Sequence, residues 1–316
     1  MNTTNNLTDK LNFSKTLIAA FSLLLLTGMG AADPLIVDED GEDPEYNSIQ
    51  SALSDAATGD TIDVEAGTYD EQVNIDTSGL TVQGPNNGEA GGSNDRVNEA
   101  VVEGQVIVGR SDVTVEGLKI TEGESSLTAG VSIQYEDSDI ENVTVRNNVI
   151  TGLTGSGGGG PGEFTFGVLG YGNPEKSPEA SDIEVSGNRI SDIGEDGATQ
   201  GVAVSLEDLT GSEPGAGATV VGNEFYGIST KSEARPGTAV ALRPNFRGVD
   251  AAAEVDGNSF TDVTLKLTHP SGDTMDVDHA NLASAVVSKG EADQRIYVSS
   301  VQNAVDAADE GTTVKL

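Results

Sequence analysis

The 316-residue chain contains no cysteine and no tryptophan, only two histidines, and 16 Lys plus Arg against 52 Asp plus Glu. Without cysteine there can be no disulfide framework, lipidated cysteine anchor, iron–sulfur centre or Cys-ligated zinc. With only 4% aromatic residues, a core has to be built from Val, Ile, Leu and Ala, side chains that suit a narrow interior. The formal net charge of −36 is spread over almost every loop, so nucleic acid is an unsuitable partner because its phosphates would be repelled. Such acidity is tolerable where salt shortens the Debye length to ~3 Å at 1 M, which points to a saline exterior.

Residues 1–32 read as a secretory signal: Lys10 and Lys15 precede the apolar run LIAAFSLLLL (17–26), and small residues lead to Ala32. The run is shorter than the ~20 residues a spanning helix needs, and no other segment is apolar enough. The mature chain is therefore expected to be secreted or at the cell surface, with no membrane span after signal removal and an oligomeric state the sequence leaves open.

What is abundant is repetition. One phrase returns four times, as VTVRNNVITGL (143–153), IEVSGNRISDI (183–193), TVVGNEFYGI (219–228) and EVDGNSFTDV (254–263). Aligned on Asn148, Asn188, Asn223 and Asn258, the copies are 40, 35 and 35 residues apart, the period of a solenoid. Each reads as two short strands around a corner, and Asn147, Gly187, Gly222 and Gly257 tolerate the left-handed backbone a corner needs. A second phrase alternates with the first: GVSIQY (130–135), FGVLGY (166–171), GVAVSL (201–206) and TAVALR (238–243). The pattern predicts an all-β, right-handed, single-stranded parallel β-helix, with the four asparagines stacked as a structural ladder. It has neither the Leu framework of leucine-rich repeats nor the Trp-Asp signature of propellers.

Before the repeats, Ser48 can cap a short amphipathic helix, about residues 46–57, with Ile49, Ala52, Leu53 and Ala56 on one face and Gly59 after it. The period then switches to that of strands. This segment, IQSALSDAATGDTIDVEAGTYDEQV, resembles the opening of the pectin-lyase-like superfamily, and Gly67-Thr68-Tyr69-Asp70-Glu71 matches its Gly-x-Tyr-x-Glu element. The resemblance implies the β-helix fold for most of the mature chain. It does not imply an activity, because catalytic and non-catalytic members share the segment. The resemblance to pectin methylesterases goes no further, since their catalytic Asp and Arg motifs are missing, and the Asn-Thr-Asp, Asp-Asp and Gly-His-Gly contexts of β-helix glycosidases are also missing.

The β-helix domain is expected over 33–294. SVQNAVDAADEGTTVKL (300–316) aligns with SIQSALSDAATGDTIDV (48–64) at a constant offset of 252, so 295–316 reads as the start of a second β-helix-like unit, truncated at Leu316. Gly- and Pro-rich insertions between the repeats are expected to emerge on a common side and wall a groove. Tyr171, Tyr226, Arg243, Asn245 and Arg247 are the glycan-binding candidates there, since aromatic faces and guanidinium groups suit sugars and their carboxylates. Asp38, Asp40 and Asp43 form an acidic turn with the oxygen ligands Ca²⁺ takes. Asn142 heads the mature chain's one glycosylation sequon. His269, Met275 and His279, with Asp273, Asp276 and Asp278, are the one group with soft or imidazole ligands, suited to copper. The leading functional expectation is a structural or glycan-binding role toward an extracellular polysaccharide or cell-surface glycan, without catalysis. The alternative is a Ca²⁺-dependent, pectate-like polysaccharide lyase acting on acidic glycans, with Arg146 and Arg189 as candidate catalytic cations.

Overall fold

The computed structural model describes residues 33–39, 41, 45–123, 127–135, 138–155, 164–173, 175–176, 178–194, 199–211, 213, 215–230, 237–244, 251–270, 275–278, 285–289, 294–298 and 313–315. After β1 (Leu35–Val37) and α1 (Ile49–Asp55), the chain winds in coils of three strands. Coil 1 is β2 (Thr61–Val64), β3 (Gly67–Tyr69) and β4 (Val73–Ile75); coil 2 is β5 (Thr81–Gln83), β6 (Ala100–Glu103) and β7 (Val106–Val108); coil 3 is β8 (Val113–Glu116), β9 (Lys119–Thr121) and β10 (Ala129–Tyr135). Coil 4 is β11 (Ile140–Arg146), β12 (Val149–Leu153) and β13 (Phe164–Gly172); coil 5 is β14 (Ala180–Ser186), β15 (Arg189–Ile193) and β16 (Gln200–Leu209). Coil 6 is β17 (Ala218–Val221), β18 (Glu224–Ile228) and β19 (Thr238–Pro244); coil 7 is β20 (Ala251–Asp256), β21 (Ser259–Thr261) and β22 (Leu265–Pro270). The first, second and third strands of successive coils pair in parallel, giving three faces, sheets I, II and III, of a right-handed parallel β-helix.

Stacking in register explains the repeated residue types. In sheet I, Ile62, Val82, Val115, Val145, Val185, Val220 and Val255 form one buried column. In sheet II, Ile120, Ile150, Ile190 and Phe225 do the same, and Phe225 stacks on Phe260 at 5.5 Å. No coil could bury these side chains alone, so each depends on its neighbours.

The corner between sheets I and II carries the asparagines. Gly117, Asn147, Gly187, Gly222 and Gly257 all have positive φ, from 57° to 70°. The residue after each turns inward. Asn148 Nδ2 donates to Val115 O at 3.0 Å and Asn188 Nδ2 to Val145 O at 2.8 Å, and Asn223 and Asn258 repeat the bond to Val185 O and Val220 O. The Oδ1 atoms of Asn188, Asn223 and Asn258 each accept from the backbone N–H and the Nδ2 of the asparagine one coil earlier, at 2.9–3.2 Å. Leu118 heads the column and donates its N–H to Asn148 Oδ1. Leu118 is 1% exposed and packs against Gly84, where a Cβ would lie 2.9 Å from Leu118 Cδ2, so an apolar side chain is accommodated at this end of the column.

The N-terminal edge of the solenoid is covered sheet by sheet, which disarms an otherwise sticky strand edge. In sheet I, β1 pairs with β2. In sheet II, Thr68 N–H donates to Glu39 Oε2 at 3.1 Å. In sheet III, the Gln50 side-chain amide does the work of a strand, accepting from Asn74 N–H at 2.7 Å and donating to Asn74 O at 3.4 Å. Ser48 Oγ accepts from Ser51 N–H at the start of α1, and the Glu71 carboxylate takes the N–H groups of Ile49 and Gln50 at 2.7 and 3.0 Å. Tyr69 OH donates to Glu65 O at 3.0 Å from a site only 2% exposed. The Gly-x-Tyr-x-Glu element thus fastens the cap to the first coil.

The insertions do not share one side. Residues 154–163, 194–199 and 229–237 join sheet II to sheet III, whereas 173–179, 210–217 and 245–250 join sheet III back to sheet I. In coils 4 to 6 the two corners flanking sheet III lengthen while the asparagine corner, held by its ladder, does not; in coil 2, ahead of the ladder, that corner carries residues 84–99. Toward the C-terminus β23 (Met275–Asp278) adds to sheet I in parallel. There β24 (Ala285–Lys289), β25 (Gln294–Val298) and β26 (Thr313–Lys315) pair antiparallel, continuing from β22. Residues 299–312, which carry most of the second copy of the opening segment, lie outside the described residues.

Candidate functional site

Outward-facing side chains of sheet II stand in two columns, because alternate strand residues face solvent and parallel pairing stacks like positions. One runs Lys119, Val149, Arg189, Glu224, Ser259, and the other Thr121, Thr151, Ser191, Tyr226, Thr261. Their polar chemistry concentrates where coils 5 and 6 meet. The Arg189 guanidinium carbon lies 4.9 Å from the Tyr226 ring centroid, a cation–π distance. Arg189 Nε is 3.8 Å from Glu224 Oε2 and is buried without a hydrogen-bond acceptor among the described residues. Beside them Thr151 and Ser191 hydroxyls are 2.8 Å apart, and Thr151 Oγ1 donates to Asp192 Oδ2 at 3.2 Å. The result is an aromatic ring, a guanidinium and carboxylates on the outer side of sheet II, with Tyr226 and Thr151 half-buried and Ser191 fully buried.

A segment with no counterpart in the repeat borders this face. Residues 84–99 leave coil 2 and run along the asparagine corner as a strap. A Cβ on Gly84 would lie 2.4 Å from Gly117 O, and one on Gly91 2.4 Å from both Arg189 N and Asn148 O. The strap is tied down by Gly91 N–H to Gly187 O at 2.7 Å and Arg96 Nη1 to Asn147 O at 2.7 Å. Arg96 also grips Glu99 through Nε and Nη2, both at 2.9 Å, and Asn86, 1% exposed, holds both polar atoms of the Val97 backbone. Neither the strap nor Glu224 was singled out by sequence reasoning. The signals present were Gly84, Gly91 and Gly92 in a polar stretch and a carboxylate two residues before an aromatic.

The sequence-derived candidates do not form a single site. Tyr226 and Arg189 meet on sheet II. Tyr171 lies on β13 of sheet III in register with Gln134, and Arg243 is on β19 of the same sheet. Asn245 and Arg247 lie outside the described residues. Arg146 belongs to sheet I, where Nε and Nη2 bond the Glu116 carboxylate at 2.8 and 3.1 Å. That hydrogen bonding raises the Arg146 pKa above its ordinary value despite a lowering from burial, the reverse of what a proton-abstracting base requires. Of the acidic turn, Asp38 follows β1, while Asp40 and Asp43 lie outside the described residues. Of the copper group, His269 is on β22 and Met275, Asp276 and Asp278 on β23, while Asp273 and His279 lie outside the described residues. Among the described residues no group of three or more His, Asp or Glu is arranged to hold a metal ion. Asn142 is exposed with φ 56°, and its Nδ2 donates to Asp112 Oδ1 at 2.7 Å, a bond an attached sugar would have to replace. A cleft of about 430 Å³ between the first coils is lined by Asp70, Glu71, Glu103 and Leu127, but Glu71 is committed there to the helix N-terminus.

Among the described residues no helix is long and apolar enough to cross a membrane. No family model matches the sequence, and neither does any curated protein. Among solved structures the chain is similar to a pectin methylesterase from Aspergillus niger, with TM-score 0.39, 14% identity, and 79% of this chain and 85% of that one covered. It is also similar to a pectin methylesterase from Erwinia chrysanthemi, with TM-score 0.35, 10% identity, and 86% of each chain covered. An alginate lyase from Paenibacillus matches with TM-score 0.25, 17% identity, and 73% of this chain and 96% of that one covered.

Proposed function

We propose that the protein is a secreted or cell-surface β-helix that binds extracellular polysaccharide without cleaving it, and that sheet II around Tyr226 is the contact face. The observation that carries this reading is the Arg189–Tyr226 pair with the half-exposed Thr151 hydroxyl in the same column. A sugar offers an apolar C–H face to an aromatic ring and hydroxyls or carboxylates to the polar groups around it. The column advances by ~4.8 Å per coil, and its accessible members Thr121, Thr151, Tyr226 and Thr261 would line an extended glycan laid along the axis, while Ser191 is buried. Support for binding rather than bond cleavage comes from the two candidate cations, since Arg146 is engaged by Glu116 and Arg189 faces Glu224. The net charge of −36 supports a saline exterior as the working environment.

The test is retention of the mature protein on a panel of immobilised neutral and acidic polysaccharides, with and without Ca²⁺ and over a range of salt. Tyr226→Ala is expected to weaken retention about two- to tenfold, the worth of one aromatic contact, with Tyr171→Ala as the comparison on sheet III. Steady release of unsaturated uronate products would replace the reading with a lyase, and equal retention of wild type and Tyr226→Ala would move the contact off sheet II.

A further inference from the structure

The strap reaches its last coil at Gly92. A Cβ there would fall 2.1 Å from Glu224 Oε1, 2.3 Å from its Cδ and 2.4 Å from Oε2, so the carboxylate occupies the space a side chain would take. Gly92 is not among the glycines with positive φ, so an added side chain would contest space with the Glu224 carboxylate rather than strain the backbone. The same carboxylate stands 3.8 Å from Arg189 Nε, and Arg189 lies over Tyr226. The strap is pinned close by, at Gly91 to Gly187 and at Arg96 to Asn147.

We infer that Gly92 is a positioning residue: it leaves the slot that holds the Glu224 carboxylate, and that carboxylate directs the Arg189 guanidinium over the Tyr226 ring. The consequence for affinity rests on reading sheet II as the glycan face, but the geometry can be measured without any glycan. Gly91 supplies the contrast, because its added Cβ would meet backbone atoms, whereas that of Gly92 would meet the far end of a flexible side chain.

The experiment compares Gly92→Ala, Glu224→Ala, their combination and Gly91→Ala in the full chain. The readouts are the NMR resonance and hydrogen exchange of Arg189 Nε–H, the thermal midpoint, and retention on the same polysaccharides. Gly92→Ala is expected to shift the Arg189 resonance, speed its exchange and reduce retention roughly two- to fivefold, the worth of an exposed cation–π contact, with the thermal midpoint unchanged. Glu224→Ala should do the same. The double variant should lose no more than Glu224→Ala alone, because the two act through one carboxylate. Gly91→Ala should lower the thermal midpoint. An unmoved Arg189 resonance in Gly92→Ala, or additive losses in the double variant, overturns the inference. Should the wild type bind no glycan, the proposed function falls, while the resonance still decides the role of Gly92.

Discussion

Removing the Asn188 side chain cuts the corner column at its middle. Four hydrogen bonds go: two accepted by Oδ1 from Asn148, and two donated by Nδ2 to Val145 O and Asn223 Oδ1. The side chains of Asn148 and Asn223 keep other partners, in Val115 O and in Asn188's own N–H. One backbone group does not: Asn148 N–H loses its acceptor inside a corner where Asn188 is 1% exposed, whereas Val145 sits in the ladder between β11 and β14. A buried orphan costs about 1–3 kcal/mol and each other lost bond about 0.5–1.5 kcal/mol at most, so Asn188→Ala should lose about 2–4 kcal/mol, a large part of the roughly 5–15 kcal/mol that holds a typical domain together. Asn258→Ala breaks the same kinds of bond at the half-buried end of the column, where water can replace them, and should cost about 1 kcal/mol. Urea unfolding followed by circular dichroism gives both values, and hydrogen exchange at Asn148 N–H reports the orphaned donor. If Asn188→Ala costs no more than Asn258→Ala, the column is not what holds the corner.

Two further outcomes follow from the capping end. Glu71→Ala strips the acceptor from Ile49 and Gln50 N–H at the start of a seven-residue helix; a loss of about 1–2 kcal/mol is expected, with faster exchange at those two amides. Unchanged exchange would show that the carboxylate does not cap. Tyr69 and Tyr135 bear on alkaline stability. Burial, the largest cause for each, pushes Tyr69 up to about 12 and Tyr135 well above its ordinary value. A phenol whose folded pKa is raised contributes stability that is complete below pH ~10 and disappears as pH climbs through the folded value. Phenolate absorbance should therefore show these two ionising late, together with unfolding, and Tyr69→Phe should remove one late step; titration of both alongside exposed tyrosines would refute it.

The column and the valine cores were legible because stacking asks the same question of every coil. Asn148, Asn188, Asn223 and Asn258 each donate to a valine carbonyl and accept from the backbone N–H one coil earlier, so the same residue answers each time, and the left-handed corner before them is filled by Asn147 or glycine. The strap was not legible, since it is used once. Gly91 touches Asn148 and Arg189, and Gly92 touches Glu224, across sequence distances no local pattern records. The insertions misled for a related reason: their position between repeat phrases is periodic, but a coil has three corners, and strand count alone does not say which of them a given loop lengthens.

The same logic indicates where chemistry can collect on this fold. Within one strand of sheet II, Ile190 faces an interior that accepts Ile120, Ile150, Ile190 and Phe225 at that level and little else. Its neighbours Arg189 and Ser191 point away from that interior, Ser191 nonetheless buried, and there the columns change from Lys119 to Val149 to Arg189 to Glu224, and from Thr151 to Ser191 to Tyr226. Uniform columns record what each coil needs from the next. Columns that break uniformity without a packing reason are released from that demand, and on this molecule the sharpest break, at coils 5 and 6, is also the place where a strap from coil 2 has been brought down to hold a carboxylate still.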